Sequence, residues 1–212
     1  MSRTLLCYGD SNTHGTMPME SLGALGRFAH RHRWPRLLAE LLPGWEVIAE
    51  GHPGRTTVHD DPVEGEHRNG RKALAAILES HRPVNLVLLM LGTNDLKHRF
   101  GVTASDIASG LERLVRMIRA SGCGPMGGAP EVLVVAPPPI RETGVLAPVF
   151  AGGAAKSQQL GAEIGAMAAR TGAAFLDLQG VIEVSPVDGI HYEAAAAEVL
   201  AQFFADKIRA LD

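Results

Sequence analysis

Two rhythms of apolar residues alternate along the chain. Short runs at positions 4–8, 46–49, 86–91, 132–136 and 174–178 predict five strands. Leu86-Val87-Leu88-Leu89-Met90-Leu91 and Val132-Leu133-Val134-Val135 are apolar without alternation, the pattern of strands buried on both faces. Between the runs, apolar residues recur at helical spacing. Leu37, Leu38, Leu41 and Leu42 follow Trp34-Pro35 and stop at Pro43-Gly44. Positions 69–81 form a second helical segment. The clearest spans 103–121, where Ile107, Leu111, Leu114, Val115 and Ile118 make one stripe. Thr103 stands where an N-cap belongs, with Asp106 near the positive helix end. Leu160, Ile164 and Met167 mark a fourth helix; Val199, Leu200, Phe203, Phe204 and Ile208 mark a last one.

Strands that alternate with helices imply a parallel sheet covered on both faces, an α/β class, three-layer α/β/α domain with right-handed crossovers. The 212 residues, 46% of them hydrophobic, suffice for one such domain over 1–212. A net charge of −3 gives no basic face, so neither nucleic acid nor anionic membrane is an expected partner. Cys7 and Cys123 make no disulfide framework and read as free thiols, although a pair between them stays open. No stretch approaches the ~18 apolar residues of a membrane span, and the first residues lack a signal-length apolar region. A cytoplasmic location is the expectation.

In such sheets ligands bind outside the carboxyl ends of the strands. Past the first run lies Gly9-Asp10-Ser11-Asn12, and past the second Glu50-Gly51-His52-Pro53-Gly54-Arg55-Thr56. The third leads into Gly92-Thr93-Asn94-Asp95 and the fourth into Pro137-Pro138-Pro139-Ile140. Asp188-Gly189-Ile190-His191 precedes the final helix. The polar, glycine-rich segments therefore share one sheet edge. Ser11 needs a base to become a nucleophile, and the imidazole of His191 is one. Asp188, three residues before His191, can fix its tautomer and stabilise the imidazolium. The Ser11 N–H, the Gly54 N–H and the Asn94 side-chain amide are candidate donors to a tetrahedral oxyanion. Taken singly, Ser11, Gly54, Asn94 and Asp188 are also ordinary turn and cap residues. Asp10 reads as a scaffold that accepts backbone N–H bonds around Ser11.

The ordered set Gly9-Asp10-Ser11, Gly54 in "GHPGRT", Gly92-Thr93-Asn94-Asp95 and Asp188-Gly189-Ile190-His191 resembles the conserved blocks of the SGNH (GDSL-type) hydrolases. The stretches "CYGDSNTHG", "EGHPGRTT", "LLMLGTNDLK", "VLVVAPPPI" and "VDGIH" look most like its bacterial arylesterase and acyltransferase group. The resemblance implies a flavodoxin-like five-stranded parallel sheet, a serine nucleophile with a DxxH pair, no cofactor, and ester hydrolysis. Two positions depart from the pattern. Asn12 stands where the family usually has leucine, which makes it a candidate substrate contact. Ala49-Glu50 replaces an asparagine often found before the second-block glycine.

The other histidines, His14, His30, His32, His52, His59, His67, His81 and His98, lack paired ligand spacing, so no metal is expected and they read as solvated surface residues. Three long connections, 16–33, 58–69 and 140–153, are expected to shape substrate access and, by the resemblance, to build contacts of a homo-oligomer. Val149 and Phe150 are the expected lining of an apolar acyl pocket. The sequence thus points to a serine esterase acting on short-chain acyl or aryl esters, with acyl transfer or perhydrolysis as a side activity. Carbohydrate O-acetyl esterase and acyl-CoA thioesterase are alternatives on the same residues. A non-catalytic small-ligand-binding domain of the same fold is the alternative from another class.

Overall fold

A computed structural model describes residues 2–24 and 26–211. The strands are β1 (Arg3–Gly9), β2 (Trp45–Gly51), β3 (Leu86–Met90), β4 (Glu131–Ala136) and β5 (Ala174–Asp177). They form one five-stranded sheet in the order β2-β1-β3-β4-β5, every pairing parallel. The order explains the composition. β1, β3 and β4 are interior and buried almost throughout, hence their unbroken apolar runs. β2 and β5 lie at the edges, partly exposed, and their sequences are correspondingly more mixed.

The helices are α1 (Ser11–His14), α2 (Trp34–Leu41), α3 (Gly70–His81), α4 (Ala104–Ala120), α5 (Gly153–Ser157), α6 (Leu160–Thr171) and α7 (Ala196–Arg209). Strand side chains alternate between two cores, as the period of two requires. Leu6, Tyr8, Val87 and Leu89 pack with Leu74, Leu111 and Ile164 of α3, α4 and α6. Leu5, Cys7, Leu88 and Met90 pack with Leu38 of α2 and Leu200 and Phe204 of α7. Trp34 meets Phe204 edge-on at 4.9 Å between ring centroids, joining α2 to α7. Both cysteines are free and buried.

The stripe expected on α4 is fully buried. Its cap is a reciprocal capping box: Thr103 Oγ1 accepts from Asp106 N at 3.1 Å, and Asp106 Oδ2 accepts from Thr103 N at 2.9 Å. On α7 the expectation needs correction at Val199, which is 46% exposed. The buried positions are Ala197, Leu200, Ala201, Phe204, Ala205 and Ile208, a regular 3-1-3-1-3 series. Val199 falls about 100° off that stripe. Among the described residues no helix is long and apolar enough to cross a membrane.

β1 has β2 on one side and β3 on the other, so the first two crossovers leave in opposite directions. That is the topological switch point where a crevice opens. Gly9, the last residue of β1, is paired with both Gly51 and Met90. The loops after β1, β2 and β3 therefore emerge level with one another.

Candidate active site

Ser11 leaves the end of β1 as the first residue of α1. Asp10 is the N-cap: its Oδ1 accepts from Asn12 N at 2.9 Å, which closes the turn that carries Ser11. Burial raises the Asp10 carboxyl to about 6, against the opposing pull of the Asn12 N–H, His191 and Arg55. The loop after β2 is pinned beneath by buried Arg55. Its Nη1 donates to Gly9 O at 2.9 Å and to Glu50 O, and its guanidinium lies 4.1 Å from the Tyr8 ring centroid.

Asp188 is fully buried and accepts four hydrogen bonds. Oδ1 takes Ile190 N at 3.0 Å and His191 N at 2.9 Å; Oδ2 takes His191 Nδ1 at 2.6 Å and Met19 N at 2.7 Å. Burial pushes this carboxyl up, but the His191 bond and charge and the two backbone donors outweigh it and hold it at about 2. Asp188 thus stays ionised and fixes Nδ1 of His191, leaving Nε2 as the free ring nitrogen.

Ser11, Gly54, Asn94 and His191 all line one cavity of about 420 Å³. Among the described residues no hydrogen bond ties Ser11 Oγ to His191. Gly54 sits at φ +76°, and a Cβ there would lie 2.8 Å from Glu64 Oε2. Only glycine takes that conformation in that space without strain. Asn94 opens a short 3₁₀ turn after β3, with Nδ2 3.5 Å from Asp10 Oδ2.

All three long connections contribute walls. Met19, Leu22 and Ala24 come from 16–33, Glu64 and Arg68 from 58–69, and Leu146, Val149 and Phe150 from 140–153. The cavity has two characters. Val149, Phe150 and Ile190 make an apolar side. Glu64, Arg68, Lys97 and Arg99 make a charged one, where Glu64 Oε1 takes Lys97 Nζ at 2.6 Å and Arg99 Nη2 at 2.5 Å. Fully buried Asp61 adds a second carboxylate, 3.0 Å from Arg99 Nη2. This cluster is not legible in the sequence, because its members come from two loops and pair only in the fold.

Two expectations are corrected. Asn12 does not border the cavity. It follows Ser11 by one helical step, so its side chain turns about 100° away. There Asn12 Nδ2 donates to Ile190 O at 3.2 Å, and the Asn12 main-chain carbonyl accepts from Trp34 Nε1 at 3.1 Å. Asn12 clamps the serine loop to the His191 loop. Nor are all the other histidines solvated: His14, His52, His59 and His81 are half-buried. Burial, reinforced by Arg27 and Arg33 at His14 and by Arg55 and Arg68 at His52, lowers both to about 4. His14 also lines the cavity. Its signal was its position, three residues after the serine in a one-turn helix.

Comparison with known proteins agrees with this architecture. The model of the GDSL-like lipase/acylhydrolase family matches residues 7–199. Est24, a carbohydrate acetylesterase from Sinorhizobium meliloti, is 37% identical with a TM-score of 0.94, and all of each chain is covered. The M. smegmatis aryl esterase is 38% identical, also with complete coverage of both chains and a TM-score of 0.94. A lipase/acylhydrolase from Enterococcus faecalis, 19% identical over 98% of this chain and 96% of its own, shares the fold at a TM-score of 0.70. Comparison with curated protein sequences gives no match. The strand-end blocks, the sheet order and the relatives converge: the chain belongs to the GDSL-like lipase/acylhydrolase family and is an ester hydrolase of the SGNH fold.

Proposed function

We propose that the chain is a serine esterase acting on short-chain acyl esters, aryl acetates among them, through Ser11, His191 and Asp188. The observation that carries this reading is the 2.6 Å Asp188–His191 pair on the wall of a cavity that Ser11 also lines. His191 Nε2 takes the proton of Ser11 Oγ as Oγ attacks the acyl carbonyl. The N–H groups of Ser11 and Gly54 and the Asn94 amide receive the oxyanion, each such donor being worth about 3 kcal/mol. The ester C–O bond then breaks, the alcohol leaves with the His191 proton, and water deacylates Ser11 by the same route. Where an alcohol or peroxide replaces that water, the product is a new ester or a peracid.

A fluorophosphonate probe is expected to label the wild type and not Ser11→Ala; a wild type that fails to label overturns the reading in favour of a ligand-binding domain. p-Nitrophenyl esters from acetate to decanoate are expected to show falling kcat/KM with length, because Val149 and Phe150 close the apolar side. Release of aryl acetate solely as acetate in dilute alcohol would remove the transfer activity.

One observation favours a second reading of the leaving group. Glu64, Arg68, Lys97 and Arg99 offer acceptors and donors suited to a hydroxyl-rich alcohol, and a carbohydrate acetylesterase is among the relatives. Acetylated sugars therefore belong in the same substrate panel. We also propose a homo-oligomer: Met17 and Leu22 in 16–33 and Val63 in 58–69 are exposed apolar side chains on cavity-forming loops. A clean monomer by light scattering at micromolar concentration overturns it.

A further inference from the structure

Asp95 stands next to Asn94 and is fully buried, yet it is not part of the cavity wall. Its carboxylate reaches the other way, into the loop after β2. Both Asp95 oxygens accept from Thr57 N at 3.0 Å, and Oδ1 also takes Thr57 Oγ1 at 2.5 Å and His59 Nδ1 at 2.8 Å. Thr57 is three residues after Gly54. One carboxylate therefore joins the segment that carries the Gly54 N–H to the segment that carries the Asn94 amide.

Arg55 pins the loop after β2 from beneath, and the Asp95 link ties that loop sideways to the turn that carries Asn94. The Asn94 amide has a 3.5 Å contact to Asp10, at the limit of a hydrogen bond. Gly54 is in the left-handed region and has no side chain to anchor it. The helix above the link is built around it as well. Gly110, in the interior of α4, is where a Cβ would come within 2.4 Å of Thr57 Oγ1. Glycine inside a helix is unfavourable relative to alanine, and here it makes room for the hydroxyl that bonds Asp95.

We propose that Asp95, with Thr57 and His59, is a positioning network that sets the spacing between the Gly54 N–H and the Asn94 amide, and so the geometry of the oxyanion site. The proposal rests on the reading that these two donors stabilise the oxyanion. Asp95 acts through its neighbours and touches no substrate. Donors displaced by a fraction of an ångström weaken transition-state stabilisation while leaving ground-state binding almost intact.

The test is a double-mutant cycle on p-nitrophenyl acetate hydrolysis, with affinity for a boronic acid that forms a tetrahedral adduct as a second readout. Asn94→Ala is expected to lower kcat about a hundredfold. Asp95→Asn is expected to lower kcat about tenfold or more, with KM within about twofold and boronate affinity falling in parallel. In the Asn94→Ala background the same Asp95→Asn change should cost less than about threefold, because the donor it positions is gone. His59→Ala and Thr57→Val, which leave the carboxylate in place, should each give a smaller kcat loss of the same kind; they carry the test if Asp95→Asn does not fold. Full additivity in the cycle overturns the proposal. So does wild-type kcat in both His59→Ala and Thr57→Val. If Asn94→Ala itself leaves kcat unchanged, the oxyanion reading fails and takes the positioning role with it.

Discussion

Among the described residues, two Asp–His pairs have nearly the same local chemistry. Asp188 and Asp95 are both fully buried, and each accepts from an imidazole Nδ1, at 2.6 Å from His191 and 2.8 Å from His59. The surroundings of the rings differ. His191 lines the cavity that Ser11 lines, whereas His59 lies outside it, its ring 5.7 Å from that of Phe100. The His59 side chain is also 28% exposed against 6% for His191. The hydrogen bond to Asp95 raises His59 above the ordinary imidazole value, against the burial that lowers it. A carboxylate–imidazole pair is thus a structural motif in its own right. On the proposed mechanism it becomes a proton-transfer device only where the second ring nitrogen has a nucleophile to serve.

Substitutions should separate the two pairs by orders of magnitude. His191→Ala is expected to lower kcat on p-nitrophenyl acetate by about 10⁵-fold or more, against a few-fold for His59→Ala. Equal losses would erase the distinction. Asp188→Asn should come next, at about 10⁴-fold, because the amide no longer selects the tautomer that Ser11 needs. Gly54→Ala tests the cavity side of the contrast. Its Cβ would meet Glu64 Oε2 and its φ is left-handed, so a loss of about 1–2 kcal/mol in urea unfolding should accompany reduced kcat.

The smallest effect concerns a histidine with no carboxylate beside it. His14 is held at about 4 in the folded protein against 6.5 when unperturbed. The unfolded chain therefore binds this proton first as pH falls, and stability drops between about pH 6.5 and 4. Asp188, held at about 2, works in a lower window: its contribution is present above its ordinary 3.8 and is lost as pH falls toward 2. Urea unfolding across pH 4–7 should show a shallower slope in His14→Gln than in wild type, with His59→Ala unable to reproduce that flattening.

What could be read in the sequence was what is local or periodic. β3 and β4 were visible because interior parallel strands are apolar on both faces, and α4 because its stripe and its Thr103–Asp106 box lie within one helix. The approach of Ser11, Gly54, Asn94 and His191 to one cavity followed from a topological rule about strand ends. Hidden were features whose partners are remote in sequence. Met19 N reaches Asp188, Asp61 and Glu64 meet Lys97 and Arg99, and His59 finds Asp95. Asn12 misled because type and proximity to Ser11 say nothing about direction; one helical step turned it to Ile190. The residue types of the histidines were plain, but not their burial, which loop packing alone decides.

Gly189, between Asp188 and His191, touches the loop after β4 at backbone distance. Its carbonyl accepts from Arg141 N at 2.9 Å, and a Cβ on it would fall 1.9 Å from Arg141 O. Five residues further along, the same loop begins the segment that supplies Leu146, Val149 and Phe150 to the apolar wall. The apolar wall and the turn that carries His191 therefore share one seam of main chain. Leu146 and Val149 pack against the core and Phe150 is buried within it, so new side chains there must repack the wall, and grafting a foreign loop across the seam would displace the His191 imidazole.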